Sequence, residues 1–161
     1  MNEPKIVQRE AFQVVGTKIT TNPATPEIPA LWQKFAPRMS EVTAVTEPKV
    51  SYGVMQNFDP QKGTLEYMAG VSVTSLAHVP DGMTSIDVPP NTYAVFDASM
   101  ATIEEVFCHI YEKWFPTSNF EHVKAPYFER YDERFDPAVS TSVIEVYIPV
   151  KARAPQAKEF V

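Results

Sequence analysis

The stretch Phe58-Asp-Pro-Gln-Lys-Gly-Thr-Leu-Glu-Tyr67 decides the fold, because its opening tripeptide recurs 77 residues later as Phe135-Asp-Pro137. In both places the tripeptide separates two runs of residues that are typical of strands. Two other pairs of prolines have nearly the same spacing, 78 and 79 residues: Pro48 with Pro126, and Pro37 with Pro116. Three similar offsets in the same order along the chain predict a duplicated unit.

Each unit contains one predicted helix. In the second unit an apolar residue recurs at helical spacing along one stripe: Ile103, Val106, Phe107, Ile110, Tyr111 and Trp114. Thr102 and Glu105 have the spacing of a capping box, and Pro116 is expected to end the helix. The first unit has a shorter stripe that begins after Thr25-Pro26 and ends near Pro37: Ile28, Leu31, Trp32, Phe35 and Met39.

Strand-like runs surround both helices, at Ile6–Thr20, Val50–Asn57, Leu65–Thr74, Thr84–Ala98, Tyr127–Arg134 and Ser142–Val150. The pattern predicts an α+β fold, a duplicated β-α-β-β module. We expect an antiparallel sheet with two helices and a ligand groove between pseudo-twofold halves. Residues 1–161 are expected to form a single domain, with repeat units of about 5–76 and 83–151.

Composition excludes several classes of protein. The chain has 161 residues, and its five glycines include no pair with the G-x-G spacing of a phosphate-binding loop. A single cysteine excludes an internal disulfide, and the three histidines are too dispersed to predict a metal site, so no metal or cofactor is expected. A net charge of −6 disfavours direct binding of nucleic acid. With no signal peptide and no long apolar run, we expect a cytoplasmic protein that does not bind membranes.

The last predicted strand, Ser142–Val150, contains a carboxylate among apolar residues. Alternation puts Ile144, Val146, Ile148 and Val150 on one face and leaves Glu145 on the other with Tyr147. An ionised carboxylate in such surroundings is costly unless it is paired. Two interpretations stay open: a glutamate paired with an arginine such as Arg130 or Arg134, or a glutamate in an aromatic pocket that receives a cationic ligand.

Aromatic residues could complete such a pocket, because their ring faces attract organic cations. Eight of them lie on predicted strands or at a helix end near the expected groove: Tyr52, Tyr67, Tyr93, Phe96, Trp114, Tyr127, Phe128 and Tyr147. Each of them could equally be part of the core. The predicted ligand-binding residues are Glu145, Tyr52, Tyr67, Phe96, Trp114, Tyr127 and Tyr147. The charged run Glu129–Arg134 is interpreted as a solvated edge or hairpin.

Several short motifs, in this order and spacing, together resemble the GyrI-like small-molecule-binding family, the effector-binding domain of AraC-type and multidrug-sensing MerR-type bacterial regulators. The motifs are Tyr52-Gly-Val54, Tyr67-Met-Ala-Gly-Val71, Pro90-Asn-Thr-Tyr-Ala-Val-Phe96, Trp114-Phe-Pro116, Phe128-Glu-Arg-Tyr-Asp-Glu-Arg-Phe135 and Ile144-Glu-Val-Tyr-Ile-Pro-Val150. The resemblance implies a duplicated module around a ligand groove. It also implies a glutamate of the last strand, here Glu145, at the pocket floor against cationic, hydrophobic drugs.

The chain begins almost at its first predicted strand and ends about ten residues after its last, so we expect a stand-alone module without a helix-turn-helix. The leading hypothesis is binding of an amphipathic, cationic or electrophilic small molecule, with a protein partner such as a regulator transmitting the signal. The resemblance implies two alternatives. One is hydrolysis of cyclopropane-type electrophiles, with Glu145 as base or nucleophile and Tyr67 as donor, and the other is inhibition of DNA gyrase.

Overall fold

The computed structural model describes residues 3–153, which contain two repeats of strands and helices. The first repeat comprises β1 (Lys5–Arg9), β2 (Phe12–Thr21), α1 (Glu27–Phe35), a 3-10 turn (Ala36–Glu41), β3 (Ser51–Asp59) and β4 (Thr64–Val73). The second comprises β5 (Thr84–Val88), β6 (Asn91–Ala98), α2 (Ile103–His109), a π-helical turn (Ile110–Trp114), α3 (Phe115–Thr117), β7 (Phe120–His122), β8 (Tyr127–Tyr131) and β9 (Ile144–Ala152).

The strands form one antiparallel sheet whose order reflects the duplication. The order is β1-β6-β9-β8-β3-β4-β2-β5, and β7 pairs with β9. Strands β8, β9 and β6 therefore run outward from a central seam as β3, β4 and β2 do on its other side. The first strand of each repeat crosses to the other half, since β1 pairs with β6 and β5 pairs with β2. The predicted α+β fold with pseudo-twofold halves is confirmed.

Two of the runs that were predicted as single strands each form two separate strands in the structure. The run Ile6–Thr20 divides into β1 and β2, because these strands pair with opposite halves of the sheet and the chain must leave the ladder between them. The run Thr84–Ala98 divides into β5 and β6 at Pro89-Pro90, where no backbone N–H is available to continue a ladder. The short strand β7 was not predicted, because its three residues are too few to show an alternating pattern.

Both helices pack on the same face of the sheet. Leu31 and Phe35 of α1 lie against β2, β3 and β4, whereas Val106 of α2 lies against β6 and β9. Ile144, Val146, Ile148 and Val150 are all buried, and the last three pack beneath α2 as their alternation predicted. The opposite face buries a second cluster that includes Val14, Tyr52, Val54, Met68, Tyr93 and Phe128. These residues come from several different strands and exclude water from this face together.

The helix ends differ from the sequence prediction. The capping box is not formed, because the Thr102 hydroxyl accepts the backbone N–H of Ser99 at 3.0 Å and makes no capping bond. Thr25 does not cap α1 either, since Pro26 occupies the cap position. Tyr111 belongs to the predicted apolar stripe but is 43% exposed, because the π-helical turn rotates it away from the core. No helix between residues 3 and 153 is long and apolar enough to cross a bilayer.

Candidate functional site

Between α1 and α2, above the central strands of the sheet, several neighbouring residues stay partly exposed and outline a groove. Alternation along β8 directs Tyr127, Glu129 and Tyr131 to the face that carries the helices. A central strand beneath helices is normally buried, yet all three side chains keep part of their surface accessible to solvent. Partly exposed aromatic residues of each helix, Trp32 and Phe107, pack beside them. We define the groove by six residues: Trp32, Tyr67, Phe107, Tyr127, Glu129 and Tyr131.

Glu129 is held at the floor of the groove by tyrosine hydroxyls. Tyr131 donates its hydroxyl to Oε1 of Glu129 at 2.7 Å. Trp32 donates its indole Nε1–H to the hydroxyl of Tyr67 at 2.8 Å, and its ring meets that of Tyr131 edge to face at 5.3 Å. Across residues 3–153, every ion pair involves a carboxylate other than Glu129. The groove therefore contains an acidic group without a cationic partner among the described residues.

Desolvation dominates the electrostatics of this group. Burial raises the pKa of Glu129 above its ordinary value of 4.5, and the hydrogen bonds from Tyr131 and Tyr67 oppose that shift without cancelling it. Burial also raises the pKa of both tyrosine hydroxyls well above 10, so they stay protonated as donors. A cation entering the groove would compensate the lost hydration of the carboxylate.

Gly53 of β3 makes room for this cluster. It pairs with Glu129 across the central seam, where its missing side chain leaves space on the groove face. A Cβ at this position would lie 2.2 Å from the hydroxyl oxygen of Tyr67 and 3.2 Å from Oε1 of Glu129. Only glycine therefore allows the Tyr67 hydroxyl to remain where it accepts the Trp32 N–H.

Gly53→Ala is expected to lower the free energy of unfolding by about 1–3 kcal/mol, because the added methyl group forces the Tyr67 ring to move. Urea denaturation of the variant measures the cost. Gly53→Ala combined with Tyr67→Phe supplies the control, since the phenylalanine lacks the oxygen that the methyl group meets first. The penalty should be smaller when Tyr67→Phe is already present. An equal penalty with and without Tyr67→Phe would show that the hydroxyl is not what the glycine accommodates.

Glu145 lies on the opposite face of the sheet, in a network of ion pairs. Arg130 donates Nη1–H to Oε1 of Glu145 at 3.0 Å and Nη2–H to Oε1 of Glu47 at 2.9 Å. Nη2 of Arg134 lies 3.6 Å from Oε2 of Glu145. Of the two interpretations that the sequence left open, the structure fits the glutamate paired with arginines. The role of Glu145 in ligand binding stays a prediction.

The predicted aromatic residues are divided among three places. Tyr67 and Tyr127 lie in the groove, whereas Tyr52 and Tyr147 lie on the opposite face with Glu145. Phe96 and Trp114 pack against each other beneath α2, with ring centroids 5.2 Å apart. The seven predicted site residues therefore do not form one pocket.

Sequence reasoning did not identify four of the six groove residues as site residues: Trp32, Phe107, Glu129 and Tyr131. The prediction that Glu129–Arg134 is a solvated edge or hairpin is wrong for Glu129–Tyr131, which belong to the central strand β8, whereas Asp132–Arg134 lie in the connection that follows it. The signal that could have identified the groove is the alternation of Tyr127, Glu129 and Tyr131, which puts a carboxylate between two aromatic rings on one face.

The duplicated sheet and the motifs that it carries define an effector-binding domain of the GyrI-like class, a class of small-molecule-binding domains linked to transcription regulators. A family model described as integron-associated effector binding protein matches residues 5–150. The chain belongs to this family, and the resemblance inferred from the sequence motifs is confirmed.

Relatives agree with this assignment. The chain is 35% identical over 149 residues to the transcriptional regulator BrlR of Pseudomonas aeruginosa; the match covers 91% of the chain but 54% of BrlR, about half its length. Its fold is similar to that of SAV2435, whose structure was solved bound to tetraphenylphosphonium. The TM-score is 0.74 at 19% identity, and the match covers 93% of this chain and 94% of SAV2435. It is also similar to an integron cassette protein from the Vibrio cholerae mobile metagenome, with a TM-score of 0.67, 20% identity, and coverage of 92% and 96%.

Proposed function

We propose that the groove binds an amphipathic organic cation, with Glu129 as its counter-charge and Trp32, Tyr127 and Tyr131 as aromatic walls. The observation that carries the proposal is a carboxylate, on the partly exposed residue Glu129, that has no cationic partner among the described residues and lies among aromatic rings. Ring faces and a carboxylate together favour a cation with apolar substituents over a neutral or anionic molecule. The net charge of −6 also favours the approach of a cation.

The comparisons support the class of ligand and the kind of output. SAV2435, which shares the fold, was solved with tetraphenylphosphonium, a lipophilic cation. BrlR, which is a transcriptional regulator, contains a region similar to nearly the whole of this chain. We therefore propose that ligand binding is linked to transcription through a regulatory protein, and that the chain works in the cytoplasm.

The direct test is titration with tetraphenylphosphonium while tryptophan fluorescence is recorded. Trp114→Phe leaves Trp32 in the groove as the reporter, because Trp114 packs beneath α2. We expect saturable quenching of Trp32 by the cation and much weaker quenching by triphenylphosphine oxide, a neutral molecule with similar rings. Equal affinity for the two molecules would exclude charge as the basis of recognition.

The affinity for tetraphenylphosphonium is expected to rise with pH and to level off above the pKa of Glu129. Burial holds that pKa above 4.5, so the carboxylate becomes protonated, and loses its attraction for the cation, at a higher pH than an exposed glutamate would. Below the raised pKa the affinity should fall by up to about tenfold for each pH unit. Titrations from about pH 4 to 8 test this. Glu129→Gln should have a flat profile, and an unchanged slope in that variant would assign the proton to another group.

Hydrolysis of a reactive electrophile is the second candidate function. A carboxylate with a raised pKa beside two tyrosine hydroxyls suits general acid–base chemistry, so Glu129 is a candidate base alongside the predicted Glu145. Incubation with a cyclopropane-containing electrophile and mass spectrometry test for turnover. Inhibition of DNA gyrase stays a prediction that a supercoiling assay checks.

A further inference from the structure

The face of the sheet opposite the helices contains an aromatic cage occupied by an arginine of the chain itself. The guanidinium carbon of Arg9 lies 4.0 Å from the ring centroid of Phe12. Three more ring centroids lie within 6 Å of it: Tyr52 at 5.3 Å, Phe128 at 5.5 Å and Tyr147 at 5.8 Å. We define the Arg9 cage by these four aromatic residues. It lies on the opposite face of the sheet from the Glu129 groove.

Polar groups complete the cage. Arg9 donates Nη2–H to the hydroxyl of Tyr52 at 2.6 Å, and the same Nη2 atom lies 3.6 Å from Oε2 of Glu47. Burial would raise the pKa of Glu47, but hydrogen bonds from Tyr52, Arg130 and Ser72 outweigh it and hold this pKa below its ordinary value. Glu47 is therefore ionised at neutral pH. Four ring faces, a hydroxyl and a carboxylate form an environment suited to a planar cation such as a guanidinium.

The strand that supplies Arg9 lies at the edge of the sheet. β1 is an edge strand of five residues whose pairing is with β6. Lys5, Ile6 and Gln8 are exposed, which leaves Val7 and Arg9 as the two partly buried residues of the strand. The Arg9 side chain is itself 22% exposed, and it borders a cavity of about 810 Å³ that the four cage rings do not line. A dissolved cation can therefore approach Arg9 from solvent and compete with it for the cage.

We propose that the Arg9 cage is a second cation-binding site, for molecules that carry a guanidinium or amidinium group, and that Arg9 is its resident occupant. A ligand of this class displaces Arg9 and weakens the attachment of β1 to β6. The site is separate from the groove, so neither proposal depends on the other.

Arg9→Ala tests the site by emptying the cage, with methylguanidinium as the probe of the missing head group. We expect the variant to gain thermal stability saturably at millimolar methylguanidinium and to bind it at least tenfold more tightly than the native chain does. Methylurea, which has a similar planar shape without charge, should have no effect. Equal stabilisation by methylurea, or no binding by the variant, would overturn the proposal.

Two further measurements separate a binding site from a change in folding. Arg9→Ala combined with Glu47→Gln should bind methylguanidinium several-fold more weakly, because the counter-charge is lost. In the native chain, hydrogen exchange of the β1 amides should accelerate as methylguanidinium rises, while exchange in β4 stays unchanged. No change in β1 at saturating probe would refute displacement of Arg9. If Arg9→Ala does not fold, this native-chain experiment alone decides the proposal.

Discussion

Glu129→Gln is expected to weaken tetraphenylphosphonium binding by about ten- to a hundredfold, or ~1.4–2.8 kcal/mol. The substitution removes the negative charge but keeps an oxygen that accepts the hydrogen bond of Tyr131. Unit charges about 4 Å apart attract by up to about 4 kcal/mol near a protein surface, and desolvation of the ligand takes back part of this. Fluorescence titration or calorimetry of both proteins at one pH measures the difference.

Glu145→Gln is the matched control, because it makes the same chemical change on the other face of the sheet. We expect the affinity for tetraphenylphosphonium to change less than twofold, since Glu145 is paired with Arg130 and Arg134. The reverse pattern, with a large loss in Glu145→Gln and none in Glu129→Gln, would restore Glu145 as the anchor and assign the ligand to the opposite face.

The sequence predicted the duplication well because the duplication is marked locally. Prolines and the Phe-Asp-Pro tripeptides fix where strands and helices end, and their offsets are visible without any knowledge of pairing. The exchange of β1 and β5 between the halves is different, because it depends on contacts between residues about 80 positions apart. Pro89-Pro90 marks the break between β5 and β6 locally, but no comparable signal in Ile6–Thr20 shows that β1 and β2 pair with opposite halves.

The site was harder to predict because two glutamates have similar local patterns. Glu129 and Glu145 both alternate with apolar or aromatic residues on strands of the same sheet. What separates them is register, since Arg130 pairs directly with Glu145 whereas Gly53 and Val146 flank Glu129. Register follows from strand order, which periodicity does not give. A lone carboxylate and a paired one therefore could not be distinguished from the sequence.

On the face of the sheet opposite the helices, aromatic rings and carboxylates surround cations that belong to the protein itself. Tyr52 and Tyr147 surround the guanidinium of Arg9, and Glu145 binds that of Arg130. The cations in contact with these residues are side chains of the protein. The same chemistry that favours an organic cation in a groove thus joins the edge strand β1 to the centre of the sheet.

Arg130→Leu is expected to lower the free energy of unfolding by about 2–4 kcal/mol, because it leaves several partly buried acidic groups without their partner. Arg130 is 21% exposed and forms ion pairs with Glu47, Asp132 and Glu145, which joins β8 to β9 and to the loop before β3. Arg134→Leu is the control, since Arg134 is 50% exposed and its ion pairs should contribute less than about 1 kcal/mol. Urea denaturation compares both variants with the native chain.

The pH dependence of the difference in unfolding free energy between the native and Arg130→Leu proteins tests whether lost ion pairs cause that difference. Burial would raise the pKa of Glu47, but hydrogen bonds outweigh this effect and hold that pKa below 4.5. The hydrogen bond from Arg134 is the main reason that the pKa of Asp132 lies below 3.8. A carboxyl group whose pKa is lower in the folded than in the unfolded protein adds stability at pH values above its unfolded pKa. That stability is lost as the pH falls through the folded pKa. The difference between native and Arg130→Leu proteins should therefore be largest near neutral pH and shrink below about pH 4.5. A difference that stays constant down to low pH would mean that Arg130 stabilises the sheet by packing, and that its ion pairs contribute little.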